Sequence, residues 1–326
     1  MDKLELKEIK FTDIDEIKVG HAQDLDAATG CTVIICEKGA KAGVDVRGGS
    51  PGTRETDLLK SENMVDEIHA VMLGGGSAFG LDAATGAMRY LEEKGVGFDV
   101  QVTTVPIVCS AVLFDLTIGD HKIRPDANMG YEACENAKNS ECPNGNVGAG
   151  TGATVGKFLG DETAMKGGLG SYAVQIGDLK VGAIVAVNCL GDVIDPATGE
   201  IVAGLLNKDK DELIGTENIL AQKYSEKKNL FSGNTTIGVI ATNGIFSKPE
   251  ANKLSSMAHN GFGRSMRPAH SIFDGDTIFT MATGKVEADI NVVGFLAAMV
   301  MERAVINAVK NTESLHGYKS YKELHG

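Results

Sequence analysis

Apolar residues in this chain fall in short runs rich in Val, Ile and Thr, the pattern of buried strands rather than of long amphipathic helices. Strands are predicted over residues 14–19, 31–37 and 42–47, with a Gly/Pro turn at 48–53. The run Ile68 to Leu73 predicts another buried strand entering Gly74-Gly75-Gly76, after which Ser77 is placed to cap a helix reaching Glu93. A short helix is expected over 128–136, a surface loop over 138–146, strands over 172–176 and 179–188, and a turn at 196–199. Residues 207–233 are charged and polar, which predicts a surface linker. Thr235 to Thr242 is again β-branched and apolar, and Ser247, Pro249 and Glu250 carry the signature of a helix start. A strand at 277–282 precedes one long apolar helix over 288–309, whose all-round apolarity implies burial on more than one side. The polar end, 311–326, reads as a short helix or tail. Strands and helices in mixed order predict an α/β or α+β fold.

Two stretches carry reactive chemistry. Thr235 stands at the mouth of a core strand, behind the small polar run Ser232-Gly233-Asn234. A Thr hydroxyl is a weak nucleophile, and one way to activate it is a free α-amine on the same residue. An internal Thr gains that amine only if the bond before it breaks. The hydroxyl can do this itself, attacking the Asn234 carbonyl to give an ester that water hydrolyses, with Gly233 permitting the backbone conformation. Downstream, Asp274-Gly275-Asp276 crowds two carboxylates into one turn, a proton-handling pair. Chemistry alone leaves other readings open: Asn-Thr-Thr also starts ordinary strands, Thr236 competes with Thr235, and Asp-Gly-Asp is also an ordinary acidic turn. The loop Gly74–Gly76 before a helix invites phosphate, but Phe79 stands where G-x-G-x-x-G needs glycine, and the stretch from Gly152 lacks the Walker A pattern.

The segment Asn234-Thr-Thr-Ile-Gly-Val-Ile-Ala-Thr-Asn243, then Met257-Ala-His-Asn-Gly-Phe-Gly-Arg264 and Arg267-Pro-Ala-His-Ser-Ile-Phe-Asp-Gly-Asp276, resembles the self-cleaving aminopeptidases of the DmpA type. That family includes the L-aminopeptidase/D-esterases, the β-peptidyl aminopeptidases and the nylon-oligomer hydrolases. The blocks Ala42–Asp57, Gly74–Asp82 and Gly145–Gly152 agree, so the resemblance spreads from about Asp13 to Gly284. It implies a four-layer αββα sandwich, shared with ornithine acetyltransferase-like proteins, in one N-terminal-nucleophile hydrolase domain over 1–326 that cleaves itself into 1–234 and 235–326. It also implies a set of roles. Thr235 replaces the Ser of the DmpA branch as nucleophile, and the cut falls between Asn234 and Thr235. Asp274 and Asp276 occupy the family's second catalytic pair, where the serine branch has Ser and Glu. Lys157 aligns with a lysine of the nylon-hydrolase branch, and Asn188 with an Asn whose amide would donate to the oxyanion. The loop carrying Gly75, Gly76 and Ser77 would shape the substrate pocket, and Tyr131, placed by spacing only, would line it or assist the oxyanion. Arg264, Arg267 and His270 are read as braces for the loop before Asp274. The implied activity is hydrolysis of short peptides or small amides without a cofactor, by a homotetramer. Acyl transfer, or a catalytically idle binding protein of the same fold, are the alternatives.

Composition trims the options further. A chain of 326 residues that is 43% hydrophobic can fill a substantial core. A formal charge of −13 argues against nucleic acid as a partner. Six cysteines without a C-x-x-C pair read as reduced thiols, and seven scattered histidines give no metal-site spacing. The start, Met1 to Lys7, lacks the apolar run of a leader, and no run reads as the roughly 18 apolar residues of a membrane span. A cytoplasmic address is expected, with no membrane partner.

Overall fold

The computed structural model describes residues 5–138, 141–222 and 233–326. Among the described residues, ten strands share one hydrogen-bonded network. They are β1 (Lys7–Ile9), β2 (Lys18–Asp24), β3 (Thr29–Val46), β4 (Thr53–Arg54), β5 (Glu67–Gly74), β6 (Val108–Val112), β7 (Gly168–Ile176), β8 (Leu179–Asn188), β9 (Thr235–Gly244) and β10 (Thr277–Val286). Their order is β1-β7-β8-β9-β10-β3-β5-β6-β4, with β2 also paired to β3. The helices are α1 (Ala83–Glu93), α2 (Ala127–Glu135), α3 (Thr216–Gln222), α4 (Lys248–Ser265), α5 (Ile290–Lys310) and α6 (Tyr321–His325).

The network folds over on itself because β3 serves two layers. Its first part pairs with β2 and β5, and its last part, Lys41 to Val46, pairs with β10; the register with β5 shifts between Ile35 and Ala40. The two strands expected at 31–37 and 42–47 are therefore one continuous strand. Period-two alternation then builds the layers. On β8, Val181, Ala183, Val185 and Val187 pack with Leu254, Phe262 and Val300 of α4 and α5, while Ile184 and Ala186 face inward. On β3, Cys31, Val33 and Ile35 pack with Ala84, Leu91 and Ala133 of α1 and α2, while Ile34 and Cys36 meet Val239, Ala241 and Phe279 of the opposite layer. The result is the αββα sandwich.

Several expectations change in detail. The strand expected at 14–19 begins only at Lys18, because Phe11, Ile14 and Ile17 plug the core from a turn. Ser77 does not cap a helix. It opens a 3-10 turn with φ +54, its N–H donating to the Leu113 carbonyl at 2.9 Å. At the start of α4, the Glu250 carboxylate accepts from the Ser247 N–H at 2.8 Å, closing the expected capping arrangement. Residues 207–222 are more ordered than a linker: Leu206 bridges Leu213, and the buried Asp192 carboxylate accepts from the Leu205 N–H and the Thr216 hydroxyl, both at 2.8 Å, anchoring α3. The remainder of that stretch, 223–232, lies outside the described residues.

Helix α5 is long and apolar enough to cross a membrane by length and composition, contrary to the sequence reading, and 67% of that window is buried within the fold. It rests on β7, where a Cβ on Gly170 would fall 2.1 Å from the Ala304 carbonyl oxygen. As expected, it is buried on more than one side, against the β7–β8 face and against α4, where a Cβ on Gly261 would fall 2.6 Å from the Ala298 carbonyl oxygen; only its outer edge, with Val292 and Phe295, faces outward.

Candidate active site

Strand pairing gathers the reactive residues. Thr235 at the head of β9 is in register with Asn188 at the end of β8. On its other side runs β10, parallel to β9, so the turn that leads into β10 lies beside the approach to β9, and Asn234 forms a bridge with Asp274. Thr235 is 5% exposed, and Asn234, Asp274 and Asp276 are each 1% exposed. The turn is clamped from β3's end: the Ser50 N–H donates to the Asp274 carbonyl at 2.8 Å and the Arg47 N–H to that of Asp276 at 2.9 Å.

At the centre, the Thr235 hydroxyl is in hydrogen-bond contact with the carbonyl oxygen of Asn234, the group on the other side of its own peptide bond. The Gly275 N–H reaches both atoms, 3.1 Å from Thr235 Oγ1 and 3.2 Å from Asn234 O. A Cβ at Gly275 would sit 2.7 Å from Thr235 Oγ1 and 2.9 Å from Ser50 O, so only glycine allows this approach. Gly233 holds φ +52, with a would-be Cβ 2.8 Å from Cβ of Phe114.

The two carboxylates differ. Asp276 Oδ1 accepts from the Thr236 N–H at 2.8 Å, and Oδ2 accepts from His270 through its backbone N–H at 3.0 Å and its Nδ1 at 2.8 Å. Asp274 Oδ2 accepts from the Ser271 N–H at 2.7 Å, while Oδ1 is buried with no hydrogen-bond partner among the described residues. Burial, reinforced by the neighbouring Asp276 charge, pushes the Asp274 carboxyl up to about 6. Lys157 is also buried. Its Nζ donates to Asn188 Oδ1 at 2.7 Å, to Asn188 O at 3.2 Å and to the Gly233 carbonyl at 3.4 Å, and desolvation lowers its pKa to about 8. Asn188 Nδ2 donates to the carbonyls of Phe114 at 3.0 Å and Gly233 at 3.3 Å, so in this state its amide is engaged one residue before the Asn234 carbonyl.

A cleft of about 140 Å³ opens onto Thr235, lined by Pro51, Ser77, Val112, Phe114, Asn234 and Phe273 among others. Thr235, Asp274, Asp276, Lys157 and Asn188 are thus brought together, and Ser77 reaches the cleft. Gly75 and Gly76 stand behind it, with the Gly76 N–H held by Asp115 Oδ1 at 2.6 Å. Tyr131 is not brought to the cleft: it lies on α2 in the outer layer, its hydroxyl donating to Glu93 at 2.7 Å and its ring under Arg89. Arg264 and Arg267 pair with Glu302 and Glu217 rather than with the acidic turn.

Sequence reasoning missed three contributors. The Gly275 N–H is backbone and carries no residue-type signal. Asp115 is buried under the glycine loop, accepts from the Thr29 hydroxyl at 2.7 Å, and is raised to about 6 by burial. Lys166 is fully buried, donating to the carbonyls of Gly150, Ala153 and Gly167 at 3.1, 2.8 and 2.7 Å, with its pKa lowered to about 7 by desolvation. Its neighbour Thr154 donates from its N–H to Asn188 Oδ1 at 2.9 Å, so this loop reaches the site.

Comparison with known proteins converges on one group. The profile of peptidase family S58 matches residues 10–323. An uncharacterized aminopeptidase of Mycobacterium leprae is 40% identical, the match covering 95% of this chain and 92% of that protein. The 6-aminohexanoate-oligomer endohydrolase of a Kocuria species is 31% identical, over 91% of this chain and 85% of that protein. Among solved structures, the L-aminopeptidase D-Ala-esterase/amidase of Ochrobactrum anthropi, described as a variant of the Ntn hydrolase fold, superposes with a TM-score of 0.73 at 19% identity, covering 94% of this chain and 87% of that one. A Burkholderia β-aminopeptidase superposes with a TM-score of 0.70 at 17% identity, covering 95% and 89%.

Proposed function

The chain belongs to peptidase family S58 and is a hydrolase of peptide or amide bonds; from that premise we propose that it matures by cutting itself between Asn234 and Thr235 and then works through the freed Thr235. The observation that carries this reading is the Gly275 N–H shared between the Thr235 hydroxyl and the Asn234 carbonyl oxygen. In the first step Thr235 Oγ1 attacks the carbonyl carbon of Asn234 and its proton passes to Asp274. Negative charge develops on Asn234 O, where the Gly275 donor already points; one such donor is worth about 3 kcal/mol of barrier. Collapse breaks the C–N bond as the Thr235 nitrogen takes the proton back, leaving an ester between Asn234 and Thr235 Oγ1. Water then hydrolyses the ester, giving a carboxylate on Asn234 and a free hydroxyl and amine on Thr235.

In turnover that amine serves as the base for its own hydroxyl. The hydroxyl attacks the substrate carbonyl, the amine component leaves, and water releases the acyl group. The small, uncharged cleft suits short peptides or small amides, and relatives named as an aminopeptidase and an oligomer endohydrolase support that class.

Mass spectrometry of the purified protein tests the reading. Fragments ending at Asn234 and beginning at Thr235 are expected, and Thr235→Ala should fold, stay intact and hydrolyse no amide. A wild-type chain that turns over amides while wholly uncut overturns it.

A further inference from the structure

His270 lies outside the cleft lining, yet it touches the acidic turn twice. Its backbone N–H and its Nδ1 both meet Asp276 Oδ2, at 3.0 and 2.8 Å. A carboxylate only accepts, so the Nδ1 facing it carries a proton. Asp276 Oδ1 is left to the Thr236 N–H, one residue from the nucleophile. The His259 ring of α4 stands edge-on at 4.8 Å from that of His270, and its Nε2 donates to the Asp45 carbonyl at 2.9 Å. Burial holds His259 down to about 4, so it meets His270 uncharged near neutral pH. The charged groups facing this cluster are Asp274 and Asp276 from the turn, with Asp45 and Arg47, paired at 2.9 Å, behind His259. His270 itself holds φ +59, a conformation that a side chain tolerates only at some strain.

We propose that His270 is a positioning residue that locks Asp276 through Oδ2, so that Asp276 stays aimed at the Thr236 N–H and the mobile proton of the carboxylate pair is left to Asp274. The inference rests on the Thr235 reading and adds to it the device that makes two adjacent aspartates unequal. Without the His270 donor, Asp276 Oδ1 is free to turn away from Thr236, and the carboxylate pair, one hydrogen bond poorer, is less readily kept ionised. Both changes slow proton transfer from the Thr235 hydroxyl.

The test compares His270→Ala with His270→Asn, whose Nδ2 occupies the place of Nδ1 and which adopts positive φ readily. The rate at which the 235–326 fragment appears is followed across pH. His270→Ala should mature about 10- to 100-fold more slowly, with its acid limb displaced upward by about one pH unit. His270→Asn should recover the rate to within about threefold and restore the limb. If His270→Ala does not fold, His270→Gln, whose amide extends one bond too far, takes its place with the same expectation. An alanine variant with the wild-type rate, a slowed variant whose limb does not move, or an asparagine variant no better than alanine each overturns the proposal. Thr235→Ala run alongside separates the two readings. If it is still cut, the nucleophile assignment fails; if it is uncut while His270→Ala is unaffected, only the His270 assignment fails.

Discussion

Asp274 and Asp276 are separated by one glycine, yet their surroundings give them different work. Asp276 spends both oxygens on Thr236 and His270, whereas Asp274 keeps one buried oxygen uncommitted and is raised to about 6. In the proposed mechanism Asp274 accepts the Thr235 proton and must be ionised, so self-cleavage should slow as pH falls through about 6. Lys157 acts with the opposite sign. Its ammonium holds the Gly233 carbonyl and Asn188, and that grip is lost as pH rises through about 8. A bell-shaped rate of fragment appearance between those limits is expected from densitometry of denaturing gels; a rate that keeps climbing past pH 9 would remove Lys157 from the mechanism. The side chains gathered at this candidate site were legible through the resemblance of the segments around Asn234–Asn243 and Arg267–Asp276 to a known family. The Gly275 N–H was not, since a backbone donor looks like any other glycine. Tyr131 was misplaced because spacing along the chain says nothing about which layer a helix joins.

At the level of elements, strands were legible from β-branched runs, and their ends were not. Ile14 and Ile17 look like strand residues because they are apolar and buried, but a turn buries them as well as a strand would. Nor does periodicity reveal that residues 31–37 and 42–47 form one strand, because the shift near Ile35 to Ala40 is a tertiary accommodation. The close contact of α5 on β7 supplies a stability prediction. In the uncut Thr235→Ala background, Gly170→Val places its Cβ 2.1 Å from Ala304 O and 2.4 Å from Ala308 N, both backbone atoms that cannot step aside. Overpacking of this kind should cost about 1–3 kcal/mol or more. Urea denaturation monitored by circular dichroism should show an earlier midpoint at an unchanged slope.

Over the whole molecule, the proposed self-cleavage would divide the chain without dividing the fold. The 235–326 piece supplies β9 and β10, which run between β8 and β3 of the other piece, together with α4 and α5 on the outside. Both fragments should therefore co-elute in size exclusion under native conditions and separate only in denaturant. The layered architecture was legible through the family resemblance; the alternating strand faces support it, but alternation alone does not say how many layers it builds. The interior place of β9 has a further consequence for reversibility. For an uncut chain, refolding is a unimolecular event whose yield is independent of protein concentration. For a chain cut before Thr235, two pieces would have to find each other before β9 could re-enter, so recovery from denaturant would become second order and fall on dilution. Activation would thus turn a protein that can unfold and return into one whose persistence depends on never fully opening, and refolding yields of wild type and Thr235→Ala across a dilution series would measure the difference.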